Sequence, residues 1–452
     1  MNGSSRTLWA QTCFLGSVLL ACSICDFACG GGGGGSRGGA NVPPVAVSAA
    51  GIPMGSQAIH YATSSAEIYS PVSESFSPTA GSMQQARAAS GVVQLQDETV
   101  LFTGGIITGG PGESATNSAE IYNPTLKTFT FTSNPMLYPR AFHTITLLSD
   151  GTVLLAGGAG TTTTTTFNAN YSAEIYNPFV QKFLSTGSLV TARMSAGSAL
   201  LPNGSVLVAG GVSAFDASGS GTPLAPLSSI EIYNPQTRTF TPGGTMQSAR
   251  TSPIVAALNS NMILIAGGDA QNTAELYNPT TQTTMFTANI LTSNQPLSLE
   301  AFAFSQDGNL VITGGAFNSV NGEEAVSGVE QYTVANSSFS GAGNLMDARF
   351  SHQMTTLLGS GILVTGGLIN EKIQLSNGTQ LQDPTFDPNA YLCSAELYTS
   401  GTSARVGHMG QQRALHSAIA LADGTVLVAG GYSCGTVTND LPGCNPPPIC
   451  SG

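Results

Sequence analysis

The sequence predicts an all-β fold, a seven-bladed β-propeller of four-stranded blades, on three observations. A phrase ending in paired glycines recurs as "ETVLFTGG", "GTVLLAGG", "GSVLVAGG", "NMILIAGG", "GNLVITGG", "SGILVTGG" and "GTVLVAGG". The pairs begin at Gly104, Gly157, Gly210, Gly267, Gly314, Gly366 and Gly430, at intervals of 53, 53, 57, 47, 52 and 64 residues. A period near 50 in a chain of short strands marks propeller blades. A second phrase, Glu-x-Tyr, alternates with the first, in "SAEIYNPTLKTFT", "SAEIYNPFVQKFL" and "SIEIYNPQTRTFT" among others. Finally, six arginines each stand 17 residues before a glycine pair: Arg87, Arg140, Arg193, Arg250, Arg349 and Arg413.

Within one period the strands follow in order. "RAFHTITLL" (140–148) is apolar and β-branched, the composition of a buried inner strand. "SDG" turns the chain tightly, and "TVLLAGG" is the second strand. A connector of variable length leads to "SAEIY", the third strand. "NPT" turns again, because Asn tolerates turn conformations and Pro fixes φ. "KTFTFT" is then the outer fourth strand. No stretch carries helical periodicity.

The ends are predicted to meet. The first Glu-x-Tyr, Glu67 to Tyr69, has no Gly-Gly strand before it, and the last pair, Gly430 and Gly431, has no Glu-x-Tyr after it. Seven inner and seven outer halves match only if N-terminal outer strands complete the C-terminal inner ones. Such closure removes the open edge that a sheet must otherwise protect.

The paired glycines, the Glu-x-Tyr, the aromatic beyond it and the arginine ahead of the inner strand together resemble the kelch repeat, over about 65–431. Where many kelch repeats carry Trp in the outer strand, this chain has Phe76, Phe129, Phe183, Phe240 and Phe339, seven residues after the Tyr, with Thr284 and Arg405 at the remaining two places. The galactose oxidase group shares this kind of propeller. The resemblance to it implies a copper site of two Tyr, two His and a Cys cross-linked to one Tyr. The five histidines are His60, His143, His352, His408 and His416. His143, His352 and His416 stand three residues after the repeat arginine, where other blades have Ser90, Ala196, Pro253 and Glu300. They are expected to pack rather than ligate, so neither a cofactor nor a metal site is expected.

The repeated residues are expected to serve architecture, since one active site does not need seven copies. The arginines should pair inside the fold with Glu67, Glu120, Glu174, Glu231, Glu275, Glu330 and Glu396; Leu297 takes the arginine slot of the fifth blade. An arginine-lined channel mouth that binds an anion is the other use of such a set. The tyrosines 69, 122, 176, 233, 277, 332 and 398 should pack between blades, each with a hydroxyl partner. Function should lie where the repeats differ. From the second Gly to the next Glu the connectors hold 14, 15, 19, 6, 14 and 28 residues, and long variable loops on a rigid scaffold are where binding concentrates. There is no Gly-x-Ser-x-Gly elbow and no phosphate loop.

Composition narrows the class. Charged residues make up 8% of the 452, against roughly 25% in ordinary soluble domains. A net charge of -12 with 13 Lys and Arg argues against nucleic acid, which needs clustered cations. Arg6 followed by "LWAQTCFLGSVLLAC" (8–22) reads as an export signal, and "LLAC" resembles a lipobox with Cys22 as its lipidation candidate. The organisation expected is a signal region at 1–29, a Gly-rich tether at 30–59, the propeller at 60–436 and a Cys/Pro-rich tail at 437–452. Cys393, Cys434, Cys444 and Cys450 form an even set in an exported chain, expected as Cys393–Cys434 and Cys444–Cys450. The expected protein is a monomeric, extracytoplasmic, non-catalytic propeller, held to a membrane by a lipid anchor only. It would recognise a protein or glycan through its long-loop face. The alternative is a secreted enzyme with its site at the channel mouth.

Overall fold

The computed structural model describes residues 61–108, 114–160, 166–216, 223–290, 300–319, 322–369 and 391–433. Seven antiparallel four-stranded blades follow one another, the third extended by two connector strands into a six-stranded sheet, and all the described regular structure is strand. Blade 1 consists of Gly91–Gln94, Val100–Thr103, Ala119–Asn123 and Thr128–Phe131, from the innermost strand outward. Blades 2 to 6 repeat the pattern from Thr144, Gly197, Ile254, Ala301 and Gln353.

Blade 7 takes its two inner strands, Ser417–Ala420 and Val426–Ala429, from the end of the chain. Its outer strands, Ala66–Ser70 and Ser75–Pro78, come from the beginning. The register is Ala66 opposite Ala429, through to Tyr69 opposite Val426. This is the closure that the count of half-blades predicts.

The core lies in the seams between blades. Each repeat tyrosine sits in a cluster shared with the preceding blade. Tyr122 of blade 1 packs with Leu427 and Ala429 of blade 7, and Tyr176 of blade 2 packs with Leu101 and Ala119 of blade 1. Tyr69 of blade 7 packs with Leu357 and Leu363 of blade 6. In five blades a phenylalanine lies directly opposite this tyrosine on the outer strand, as in Tyr122–Phe129, with centroids 4.8 Å apart. Phe therefore fills the outer position that Trp holds in many kelch repeats. Blade 6 departs from the count. Its shorter outer turn puts Ser403, not Arg405, opposite Tyr398. Arg405 leans out to Asp347 at 2.5 Å.

The tyrosine hydroxyls are not all partnered as expected. Tyr233 reaches Thr186, Tyr277 donates to the carbonyl of Gly243 at 2.9 Å, and Tyr398 to that of Ala342 at 2.8 Å. Tyr69, Tyr122 and Tyr332 have buried hydroxyls without a hydrogen-bond partner among the described residues. Their rings are fixed by packing. Burial pushes Tyr69, Tyr122, Tyr176 and Tyr277 up to about 12.

The glycine pairs lock neighbouring blades together. Gly104 and Gly105 have φ of 57° and 102°, and a Cβ on Gly104 would stand 2.1 Å from the carbonyl oxygen of Arg140 in blade 2. Only glycine permits both that conformation and that approach. The Gly105 N–H then donates to the Arg140 carbonyl at 2.9 Å, and the Gly431 N–H to that of Arg87 at 2.9 Å, which closes the ring.

Candidate functional site: the connector face and the charged repeat

The six arginines are buried at their side chains, and each meets the repeat glutamate of its own blade. The distances are 2.6 Å for Arg87–Glu120, 2.6 Å for Arg140–Glu174 and 2.7 Å for Arg193–Glu231. They are 2.8 Å for Arg250–Glu275, 2.5 Å for Arg349–Glu396 and 2.7 Å for Arg413–Glu67. The last pair joins the two ends of the chain. Burial pulls Arg87, Arg140, Arg193, Arg349 and Arg413 down from their ordinary range and the adjoining carboxylates push them back.

Each pair sits in a larger network. Arg140 also donates to the carbonyls of Gly157 and Ser172 and to the Ser172 hydroxyl. Glu174 accepts from the N–H groups of Leu137 and Tyr138, in the strap that enters blade 2. The guanidinium thus ties strand end, connector end and entry strap into one unit. Glu330 of blade 5 is equally buried, and Leu297 lies outside the described residues.

Two residues past each of these arginines the chain turns left-handed: Ala89, Phe142, Ser195, Ser252, Ser351 and Leu415 have φ between 52° and 62°. Side-chain-bearing residues adopt this conformation only at a cost of order 1 kcal/mol each, and the surroundings enforce it. The Phe142 N–H donates to Ala89, that of Ser195 to Phe142, that of Ala89 to Leu415, and that of Leu415 to Ser351. These bonds form a collar running from blade to blade at the connector end of the inner strands. For this reason the inner strand of blade 2 begins at Thr144, later than the stretch from Arg140 that its composition suggests. An apolar cluster that includes Ala88, Phe142, Met194, Phe350 and Tyr432 backs the collar.

His143, His352 and His416 sit just beyond the collar and are buried. Each ring Nε2 meets a threonine of the preceding blade: Thr103 at 2.8 Å, Thr313 at 2.7 Å and Thr365 at 2.9 Å. The sequence carries this coupling. Where the second strand of a blade ends in Thr-Gly-Gly, the next blade has His in this slot; where it ends in Ala-Gly-Gly, the next has Ser90, Ala196, Pro253 or Glu300. Burial, reinforced by neighbouring arginines, holds all three histidines well below the usual imidazole range.

Glu300 fills the same slot in blade 5. Its carboxyl lies against Gly267 of blade 4, and its Oε1 is buried without a partner among the described residues. Burial, then Glu330 and Asp269, push it up to about 7. The two kinds of group act in opposite senses on stability. The histidines stay neutral in the fold, while the unfolded chain takes up protons near 6.5, so stability is lost as pH falls below about 6.5. Glu300 is protonated in the fold up to about 7, so its contribution is lost as pH rises from the ordinary carboxylate range through about 7. Glu300→Gln should therefore be more stable than the parent at pH 8, and its acid-side loss between pH 7 and 5 should be steeper. Thermal melts across pH 5–8 measure this, and an unchanged profile would refute the assignment.

Comparison with known proteins supports the fold. No family model matches the chain, and no curated protein matches it. Among solved structures, it is similar to a fungal alcohol oxidase of the AA5 family in complex with copper. That match has 14% identity and a TM-score of 0.58, covering 78% of this chain and 71% of the other. It is also similar to YjhT, at 11% identity and a TM-score of 0.51, covering 72% of this chain and 98% of that one. The protein is a seven-bladed β-propeller.

The copper donor set of two Tyr, two His and a Cys is not matched by the propeller's described residues. No three His, Cys, Asp or Glu side chains among them are placed to hold a metal ion. The three buried histidines lie in separate blades and turn Nε2 toward threonine. Cys393, the one cysteine among the described residues, is buried and disulfide-bonded. Cys434, Cys444 and Cys450 lie outside the described residues, as do Cys22 and the signal, tether and tail segments.

What differs between blades is gathered on the connector face. Ile106–Ile107 pairs with Ser114–Ala115 over blade 1. Thr166–Asn168 from the blade 2 connector pairs with Val212–Asp216 from blade 3, which pairs with the start of Pro223–Asn234. Ala316–Ser319 pairs with Gly322–Ala325 over blade 5. The connector of blade 4 is a short turn through Asp269 to Asn272.

Proposed function

We propose that this propeller is a non-catalytic, extracytoplasmic binding module that recognises a protein or glycan through its connector face. The observation that carries the reading is the division of labour between the two kinds of residue. The arginines and glutamates that recur in most blades are held inside the fold, whereas the unrepeated connectors build strands of their own on one face. A rigid ring carrying variable loops suits recognition. Export rests on the segment at 8–22, and anchoring on lipidation of Cys22.

The alcohol oxidase likeness supplies the competing reading, a copper enzyme with its site at the channel mouth. Metal analysis of the purified chain, with an alcohol-oxidation assay on the same sample, separates the two. A glycan and protein array probed with that preparation then identifies the ligand.

A further inference from the structure

Among the described residues the propeller carries few exposed cations, and three of the four share one arc of the rim. Of the 13 Lys and Arg in the chain, six arginines are buried in the blades. The exposed cations of the described residues are Lys127, Lys182, Arg238 and Arg405. Arg405 is held by Asp347. No ion pair engages Lys127, Lys182 or Arg238 among the described residues. These three stand at the outer hairpins of consecutive blades 1, 2 and 3.

The same hairpins expose large apolar side chains: Leu126 is 65% exposed, Phe179 73% and Val180 56%. Phe131 and Leu184 on the adjoining outer strands are also exposed. The arc is continuous, because each outer hairpin abuts the outer strand of the blade before it. Ser133 at the end of blade 1 donates to Gln181 at 3.2 Å. Gly187 at the end of blade 2 donates to the Arg238 carbonyl at 2.9 Å. Outside blades 1–3 the described outer hairpins carry no Lys or Arg apart from Arg405, while Val72 of blade 7 and Met285 and Phe286 of blade 4 are exposed as well. The matching turn of blade 7 carries Glu74, and the inner turns of blades 1, 2, 5 and 7 expose Asp97, Asp150, Asp307 and Asp423.

We propose that the rim of blades 1–3 is a docking surface for an anionic lipid bilayer, with Lys127, Lys182 and Arg238 against lipid phosphates and Leu126, Phe179 and Val180 set into the interface. Charge complementarity selects the partner: on a chain of net charge -12, these three unpaired cations are the cationic strip that the described residues offer an anionic surface. Apolar tips between the cations favour a bilayer over a dissolved polyanion, because a bilayer offers apolar depth beside its headgroups. The acidic inner turns keep the flat face away, so the ring docks on its edge. This contact is independent of any lipid on Cys22.

The repeats themselves supply substitutions that the fold accepts. Glu74 occupies in blade 7 the left-handed position of Lys127 and Arg238. Thr239 holds the slot of Lys182, and Gln236 and Thr237 hold those of Phe179 and Val180. The test uses the full chain with Cys22→Ala throughout, and vesicles of phosphatidylcholine with or without phosphatidylglycerol. The parent should cosediment with anionic vesicles and release with added salt. Lys127→Glu, Lys182→Thr and Arg238→Glu together should weaken binding on the order of 100-fold, at about fivefold per cation near the surface. Phe179→Gln with Val180→Thr should weaken it while leaving its salt dependence. Vesicles should slow amide exchange at 124–131 and 178–185. The proposal fails if the parent ignores anionic vesicles, binds neutral ones equally, or binds soluble polyglutamate as well as vesicles. It also fails if the charge variant binds like the parent, or if amide protection falls elsewhere.

Discussion

Replacing Arg140 by Met should destabilise the propeller by about 3–5 kcal/mol, the cost of leaving a buried carboxylate without its cation. Among the described residues, no cation other than Arg140 pairs with Glu174. Its oxygens already take the N–H groups of Leu137 and Tyr138, and its side chain is fully buried beside Arg140. The carbonyls of Gly157 and Ser172 lose a donor at the same time. Arg140→Lys should recover little, because an ammonium cannot reproduce the planar fork that serves Glu174, Gly157 and Ser172 together. Denaturant unfolding of both variants measures this, and a loss below about 1 kcal/mol would show that water or another group replaces the guanidinium.

Removing residues 61–80 should have a larger effect still. Blade 7 would keep Ser417–Ala420 and Val426–Ala429 and lose both outer strands. Arg413 would lose Glu67 and the Ser65 hydroxyl. The seam with blade 6 would lose Tyr69, and that with blade 1 would lose Ala66 and Ile68. An apolar strand edge would then face solvent, which invites pairing between chains. The truncated chain should be recovered as aggregate rather than as a folded monomer. Size exclusion with circular dichroism decides it, and a monomer melting like the parent would show that blade 7 does not close the ring as described.

The features readable from the sequence are those with a fixed offset inside one repeat. The blade count, the terminal closure and the tyrosine seams all follow from spacing along the chain. Features created between repeats were harder to see. Thr103 and His143 belong to different blades, as do Thr313 and His352, and only a register across the seam places one against the other. The left-handed collar has no signature of its own, because Ala89, Phe142 and Leu415 are not residues that favour positive φ. The outer turn of blade 6 misled the count by two residues, so Arg405 belongs to the surface rather than to the aromatic position. The rim arc needed exposure as well as sequence. Lysines at 127 and 182 look like ordinary solvated charges until the six arginines are known to be buried.

These observations all bear on one claim, that the repeated charged phrase builds the ring and performs no chemistry. Metal content measured on purified, folded full-length chain, together with alcohol-oxidation turnover after copper loading, tests that claim most directly. Copper should stay well below one equivalent, with no turnover above background. One firmly bound copper per chain with oxidation of an alcohol would contradict it.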